Sequence, residues 1–279
     1  MDINWQPGHM KKTRDLLKTK LKIVDIVIEL IDARAPLSSK NMEIDTIIKQ
    51  KPRLIILNKS DLSDNNGNIK WLEFLNKEYQ KAIAINAFDK MNINAISNAV
   101  FQIVNKRSSV RAMIVGIPNV GKSTLINNLA GRRGTKTGNR PGITKHIQWI
   151  AIKNKNKLEL LDTPGLLNPS SDNPKSSQNL AFIGAIRDEN IDIEYIALKL
   201  LEILIAKAPN SLEKRYKISI RDKVPREVFT DIAIKRGFIV KNSGIDYMRT
   251  AITIMNEYRK GMIGRVTLEY PQYYEDLES

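Results

Sequence analysis

Short apolar runs alternate with helix-period segments through the first 170 residues, and then the alternation stops. Residues 23–31, 54–57, 82–85 and 112–115 are compact, β-rich runs that each pass directly into a polar loop, the pattern of strands covered on both faces. Between them, residues 10–22 carry Leu16, Leu17 and Leu21 on one side of a basic helix. Trp71, Phe74 and Leu75 mark a second helical segment, and residues 93–104 a third. Residues 147–152 and 158–161 read as two further strands that meet at a polar turn. Strands and helices in this order predict an α/β fold, a doubly wound and mostly parallel sheet. From Ser176 onward the period is helical. Ile193, Ile196, Leu200, Ile203 and Leu204 fall on one stripe closed by Pro209, and Tyr247, Ala251, Ile254, Met255 and Tyr258 on another closed by Gly261. Pro225 fits a helix start and Gly237 a helix end. At 279 residues, the chain divides into an α/β unit over 1–172 and a smaller, mainly helical one over 173–279.

Composition narrows the classes of function. The chain has no cysteine, which excludes disulfides, thiolate zinc sites and thiol catalysis, and suits a cytoplasmic protein. Residues 191–208 are apolar but interrupted by Asp192, Glu194, Lys199 and Glu202, so no membrane span is expected. The net charge is +15, and its distribution is uneven. Residues 1–169 carry 28 basic and 14 acidic side chains, residues 170–279 carry 17 and 16, and the end of the chain is acidic through Glu269, Glu275, Asp276 and Glu278. Such a surplus favours a polyanionic partner, nucleic acid or an anionic membrane surface. An AT-rich genome, which raises the lysine content, would give a similar surplus.

The chemistry is carried by the loops after the strands. Residues 116–123, GIPNVGKS, fill the pattern GxxxxGK[ST] between a strand and a helix, where successive backbone amides, those of Asn119, Val120 and Gly121 among them, point at phosphates. Lys122 is placed for the β- and γ-phosphates, Ser123 for Mg²⁺, and Thr124 for the α-phosphate. Asp162 ends a strand forty residues later, where an acid holds Mg²⁺ through water, and Gly165 of the same DTPG can present its amide to the γ-phosphate. Asn58-Lys59-Ser60-Asp61 fits NKxD. A carboxylate at Asp61 can accept from both guanine N1 and N2, an edge adenine lacks, while Lys59 covers the base and Asn58 braces the loop. Asn86-Ala87 lies where a backbone amide could meet guanine O6.

These motifs resemble the signature set of the translation-factor-related GTPases, with the order rotated: NKxD precedes the P-loop, and the join falls near residues 105–109. The rotated order, with WQPGHM at the N-terminus, DARAP and RPGIT, closely resembles the circularly permuted bacterial GTPases called ribosome biogenesis GTPase A. The resemblance implies GTP and GDP as ligands, Mg²⁺ as cofactor, and action in late assembly of the large ribosomal subunit, with its rRNA and proteins as partners. It also implies Thr144 as the switch threonine over Mg²⁺ and γ-phosphate, and Asn119 as a residue of the kind that recruits K⁺. Leu166 stands where many GTPases place glutamine to orient water, so slow intrinsic turnover is expected, and His9 joins Lys122 and Thr144 as a candidate catalytic residue. A monomer is expected. Two other readings stay open on the residues alone: a GTP-gated RNA-binding checkpoint with incidental hydrolysis, and a GTPase working outside the ribosome, at an anionic membrane. Arg132, Arg133, Lys136, Arg140 and Lys145 would bind RNA phosphates or solvate a loop. Trp5, Trp71 and Trp149 are expected to pack, and His146 has no partner at zinc-ligand spacing.

Overall fold

The computed structural model describes residues 15–48, 51–89, 92–105, 109–131, 148–152, 157–162, 173–240 and 244–272. The predicted sheet forms with six strands: β1 (Ile26–Asp32), β2 (Arg53–Asn58), β3 (Lys81–Ile85), β4 (Val110–Val115), β5 (Gln148–Ile152) and β6 (Leu158–Asp162). Their spatial order is β3-β2-β1-β4-β6-β5, parallel throughout except for β5, which pairs antiparallel with β6 at the edge. Every residue of β1 and β2 is buried, which is why Leu54–Leu57 of β2 reads as an unbroken apolar run and β1 as one interrupted only at Glu29, which pairs with Arg53 (3.1 Å). One face is covered by α1 (residues 15–21), α3 (Met42–Ile48) and α4 (Asn65–Glu78), with Leu17, Leu21, Ile44 and Trp71 in the contact. The other carries α5 (Asn92–Val104) and α6 (Lys122–Leu129). The basic N-terminal helix thus places Leu17 and Leu21 on the sheet, with Leu16 half-buried beside them.

The order in which strands are added reverses between β1 and β4, and in open α/β sheets the crevice at the carboxyl ends beside such a point is where ligands bind. The register lines up the functional loops there. Asp32 lies level with Asn58, Asn58 with Ile85, and Asp162 with Ile114 two residues before the P-loop.

The chain then enters the helices α7 (Pro174–Phe182), α8 (Ile193–Lys207), α9 (Pro209–Tyr216), α10 (Pro225–Arg236) and α11 (Tyr247–Arg259). Pro209 both stops α8 and starts α9, because its ring cannot continue one helix yet suits the first turn of the next. Gly237 caps α10 at φ +68° as expected. The predicted stripes of α8 and α11 face each other, with Leu200, Leu204, Ala251, Ile254 and Met255 fully buried. A single apolar cluster runs from Ile28 and Leu30 of the sheet into these helices.

Four differences from the sequence reading have local causes. The first strand begins at Ile26 and not at Ile23, which is 44% exposed before the sheet. Residues after DARAP, read as loop, form α2 (Pro36–Ser39) and α3, the second disguised by β-branched isoleucines. A two-residue hairpin, β7 (Ile239–Val240) with β8 (Gly244–Ile245), separates α10 from α11 and is too short to leave a period. Finally, Glu269, counted above with an acidic tail, is 4% exposed. It accepts from the Ser38 amide (3.0 Å) and Asn179 Nδ2 (2.8 Å) and pairs with the Ser38 hydroxyl; burial pushes its carboxyl pKa up.

Candidate guanine-nucleotide site

The P-loop is shaped by its backbone before any side chain acts. Gly116 has φ +150°, and a Cβ there would lie 2.5 Å from Leu30 O; Gly121 has φ +102° and would drive a Cβ into Asn58 Nδ2. Asn119 adopts φ +62°, which asparagine tolerates better than most residues. Three left-turning residues in six curl the strand end onto the α6 N-terminus, whose N-cap Gly121 supplies no side-chain acceptor for the first amides. Lys122 is buried, and its Nζ donates to Gly116 O (2.7 Å) and Ile117 O (2.8 Å). Ser123 is exposed on the first turn of α6, with Thr124 half-buried beside it.

The NKSD loop is fastened to the P-loop directly. Asn58, 1% exposed, donates from Nδ2 to Val120 O (2.6 Å) and accepts at Oδ1 from the Ala87 amide (3.0 Å). One side chain therefore fixes the spacing between phosphate loop, NKSD loop and the loop after β3, the bracing role read from the motif. The Ala87 amide, expected to face a base, is engaged by Asn58 in this structure. Asn86 closes its own turn by accepting from Phe88 N (2.9 Å). Lys59 sits at φ +59° with Nζ on Asn119 O (2.7 Å), crossing the mouth of the crevice, and Asp61 is half-exposed at its edge. Asp162 lies on β6 beside β4. His9, Thr144, Gly165 and Leu166 fall outside the described residues, as do Trp5, Arg132, Arg133, Lys136, Arg140, Lys145 and His146. Trp71 is buried with its Nε1 on Glu269 O (2.9 Å), while Trp149 is 40% exposed beneath the Arg111 guanidinium.

Two residues gain a place here that the sequence did not give them. Asp32, fully buried at the end of β1, pairs with Lys59 Nζ (2.9 Å) and takes a bidentate contact from Arg34 Nε and Nη2 (2.9 and 2.8 Å). Burial pushes its carboxyl up, but Arg34 and Lys59 outweigh that and hold it well below the usual carboxylate range. Burial moves Lys59 the other way, below the usual lysine range, with Asp32 opposing. Arg34 continues outward: its guanidinium stacks over Tyr258 (5.4 Å) and Nη1 reaches Arg259 O (3.4 Å) on α11. Arg259 in turn holds both Asp188 oxygens (2.8 Å each) and lies against Gly184, whose carbonyl accepts from Asn119 Nδ2 (2.6 Å). The circuit closes on the P-loop. A buried Asp–Arg pair after a strand has no sequence period, so only DARAP as a motif pointed to it.

A strand-carboxyl crevice with a P-loop and an NKxD loop locked together is a guanine-nucleotide architecture. Residues 111–222 match the family described as 50S ribosome-binding GTPase. Over its whole length the chain is 39% identical to ribosome biogenesis GTPase A of Bacillus cereus, covering 98% of that protein. The chain belongs to the ribosome biogenesis GTPase A family. Another relative, ribosome biogenesis GTPase A of Priestia megaterium, is 40% identical over 99% of both chains. The structure of GNP-bound YlqF from T. maritima superposes with a TM-score of 0.70 at 29% identity, covering 94% of this chain and 99% of that one. As a member of the ribosome biogenesis GTPase A family the protein is a GTP hydrolase of circularly permuted order, and Mg²⁺ is the metal such enzymes use. The oxygen donors present suit it: the exposed Ser123 hydroxyl at the helix start and an aspartate at the neighbouring strand end.

Proposed function

We propose that this GTPase binds the large ribosomal subunit or its precursor, acts in its late assembly in the cytoplasm, and uses hydrolysis to time its release. The observation that carries the reading is the polar chain from Asn119 through Lys59, Asp32 and Arg34 to Arg259, whose guanidinium donates to Ala181 O (2.7 Å) and Phe182 O (3.2 Å) on the turn whose Gly184 carbonyl returns to Asn119. Nucleotide-dependent movement of the P-loop would be felt directly by the helical part. The full-length likeness to ribosome biogenesis GTPases supports a ribosomal partner, and the basic surplus suits rRNA.

In this reading residues 1–172 form the nucleotide unit and 173–279 the ribosome-facing one, acting as a monomer. Asn58, Lys59, Ser60, Asp61, Asn86 and Ala87 surround the guanine, with Asp61 accepting from N1 and N2. Asn119, Val120, Gly121, Lys122, Ser123, Thr124 and Gly165 surround the phosphates. Ser123, Thr144 and Asp162 would hold Mg²⁺, which neutralises charge on the β- and γ-phosphates. Lys122 exchanges the carbonyls of Gly116 and Ile117 for phosphate oxygens, whose charge makes the stronger acceptor. His9 would orient the attacking water in place of the absent glutamine, and Asn119 would help hold a K⁺ ion, which would supply positive charge beside the phosphates.

The test is association. Co-sedimentation with purified large subunits should retain the protein with a non-hydrolysable GTP analogue and release it with GDP, and retention should fall steeply with added KCl. Equal retention in both nucleotide states would remove the release mechanism, and a flat salt response would remove the electrostatic contribution.

A further inference from the structure

After α11 the chain does not leave the molecule but returns across the nucleotide-binding face. Residues 262–270 run over the β1 turn, the NKSD loop and the start of α4, with Ile263, Val266 and Leu268 buried. The segment is tied down near its C-terminal end. Leu268 N donates to Arg34 O (2.7 Å), and Trp71 Nε1 donates to Glu269 O (2.9 Å). Lys207, from the end of α8, donates to Thr267 O (2.8 Å).

Its middle touches the loop that carries Asp61. Val266 N donates to Leu62 O (3.2 Å), and the Asp64 amide donates to Thr267 Oγ1 (3.1 Å), so the segment grips the loop on both sides of the fully buried Ser63. Tyr270 OH reaches Asp64 Oδ2 (2.9 Å), the oxygen left over when Oδ1 caps α4 through the Gly67 amide (2.6 Å). Two glycines permit this closeness. A Cβ on Gly67 would stand 2.7 Å from Thr267 Oγ1, and one on Gly261, at φ +72°, would stand 2.6 Å from Leu62 Cδ2. Thr267 is 1% exposed, so its hydroxyl faces the loop and not solvent.

We propose that Thr267, with Val266 and Tyr270, is a positioning residue for guanine recognition: the C-terminal return segment sets the height of the NKSD loop and with it the aim of the Asp61 carboxylate. The proposal rests on the reading that Asp61 accepts from guanine N1 and N2. Its consequence is that base selectivity is written partly in residues some 200 positions after the motif.

The test compares GDP with IDP, which lacks the 2-amino group, by equilibrium titration of the full chain. The wild type should favour GDP by about tenfold or more, the worth of a hydrogen bond to a charged acceptor. Thr267→Val keeps the shape but leaves the Asp64 amide without its acceptor, and should cut the GDP/IDP ratio by about fivefold. Thr267→Ser should restore the ratio, and Tyr270→Phe should lower it by more than twofold. Loss of stability alone would weaken both nucleotides and leave the ratio unmoved. Should Thr267→Val not fold, Tyr270→Phe decides by the same criterion. A wild-type ratio near one would overturn the Asp61 reading and this inference with it. Wild-type discrimination with ratios unchanged in Thr267→Val and Tyr270→Phe would overturn the inference alone.

Discussion

Replacing Asp61 by asparagine lowers GDP affinity by about two orders of magnitude or more and transfers the preference to XDP. The carboxylate is an acceptor at both oxygens, whereas the amide turns one of them into a donor that faces the donor edge of guanine. The base then buries an unmatched N–H pair, which costs more than the missing bond itself. Xanthine carries a carbonyl at C2 and meets the same amide with an acceptor. The exchange is confined to recognition because the loop is held by other atoms: Ser60 N on Ile85 O (3.0 Å), Leu62 N on Lys59 O (2.9 Å) and Asn68 Nδ2 on Ser60 O (3.0 Å). Titration with GDP and XDP reads both halves of the effect. A variant that keeps the wild-type order of affinities would place guanine recognition elsewhere.

Asn58→Ala should be the most damaging single change to the architecture of the site. It removes two hydrogen bonds at once and strands the Val120 carbonyl and the Ala87 amide in a region that is nearly solvent-free. A small cavity is added beneath Gly121, the residue whose missing Cβ makes room for Asn58. The expected loss is about 2–4 kcal/mol in unfolding free energy, with GDP affinity reduced about tenfold in the fraction that folds. Urea unfolding and GDP titration measure the two separately. A change below about 0.5 kcal/mol, the range of ordinary surface substitutions, would mean that Asn58 does not brace these loops.

The legible parts of the fold were those in which local pattern and tertiary environment agree. β2 and β4 read as strands because both faces are buried, and the P-loop could be placed because its glycines answer a backbone demand. The rotated order did not hide the site, since each strand still delivers its own loop to the same edge. What escaped were features fixed by distant partners. Asp32 and Arg34 are intelligible only beside Lys59 and Arg259, and Glu269 only beneath Ser38 and Asn179. Thr267 is an ordinary β-branched residue until Gly67 and Asp64 are brought against it. The α3 sequence MEIDTII misled for the opposite reason: isoleucine-rich composition suggested nothing helical, yet Ile44 and Ile48 are one helical turn apart and bury together against the sheet.

The most direct test of the proposed action on the large subunit is the steady-state rate of GTP hydrolysis by the full chain in KCl, alone and with isolated large or small ribosomal subunits. With Leu166 at the position of the water-orienting glutamine, the protein alone should turn over at about 10⁻⁴ to 10⁻³ per second. Large subunits should raise that rate by about tenfold or more, as partners that complete an unfinished hydrolytic site do, and small subunits should not. A rate unchanged by large subunits, or raised equally by both, would contradict the account.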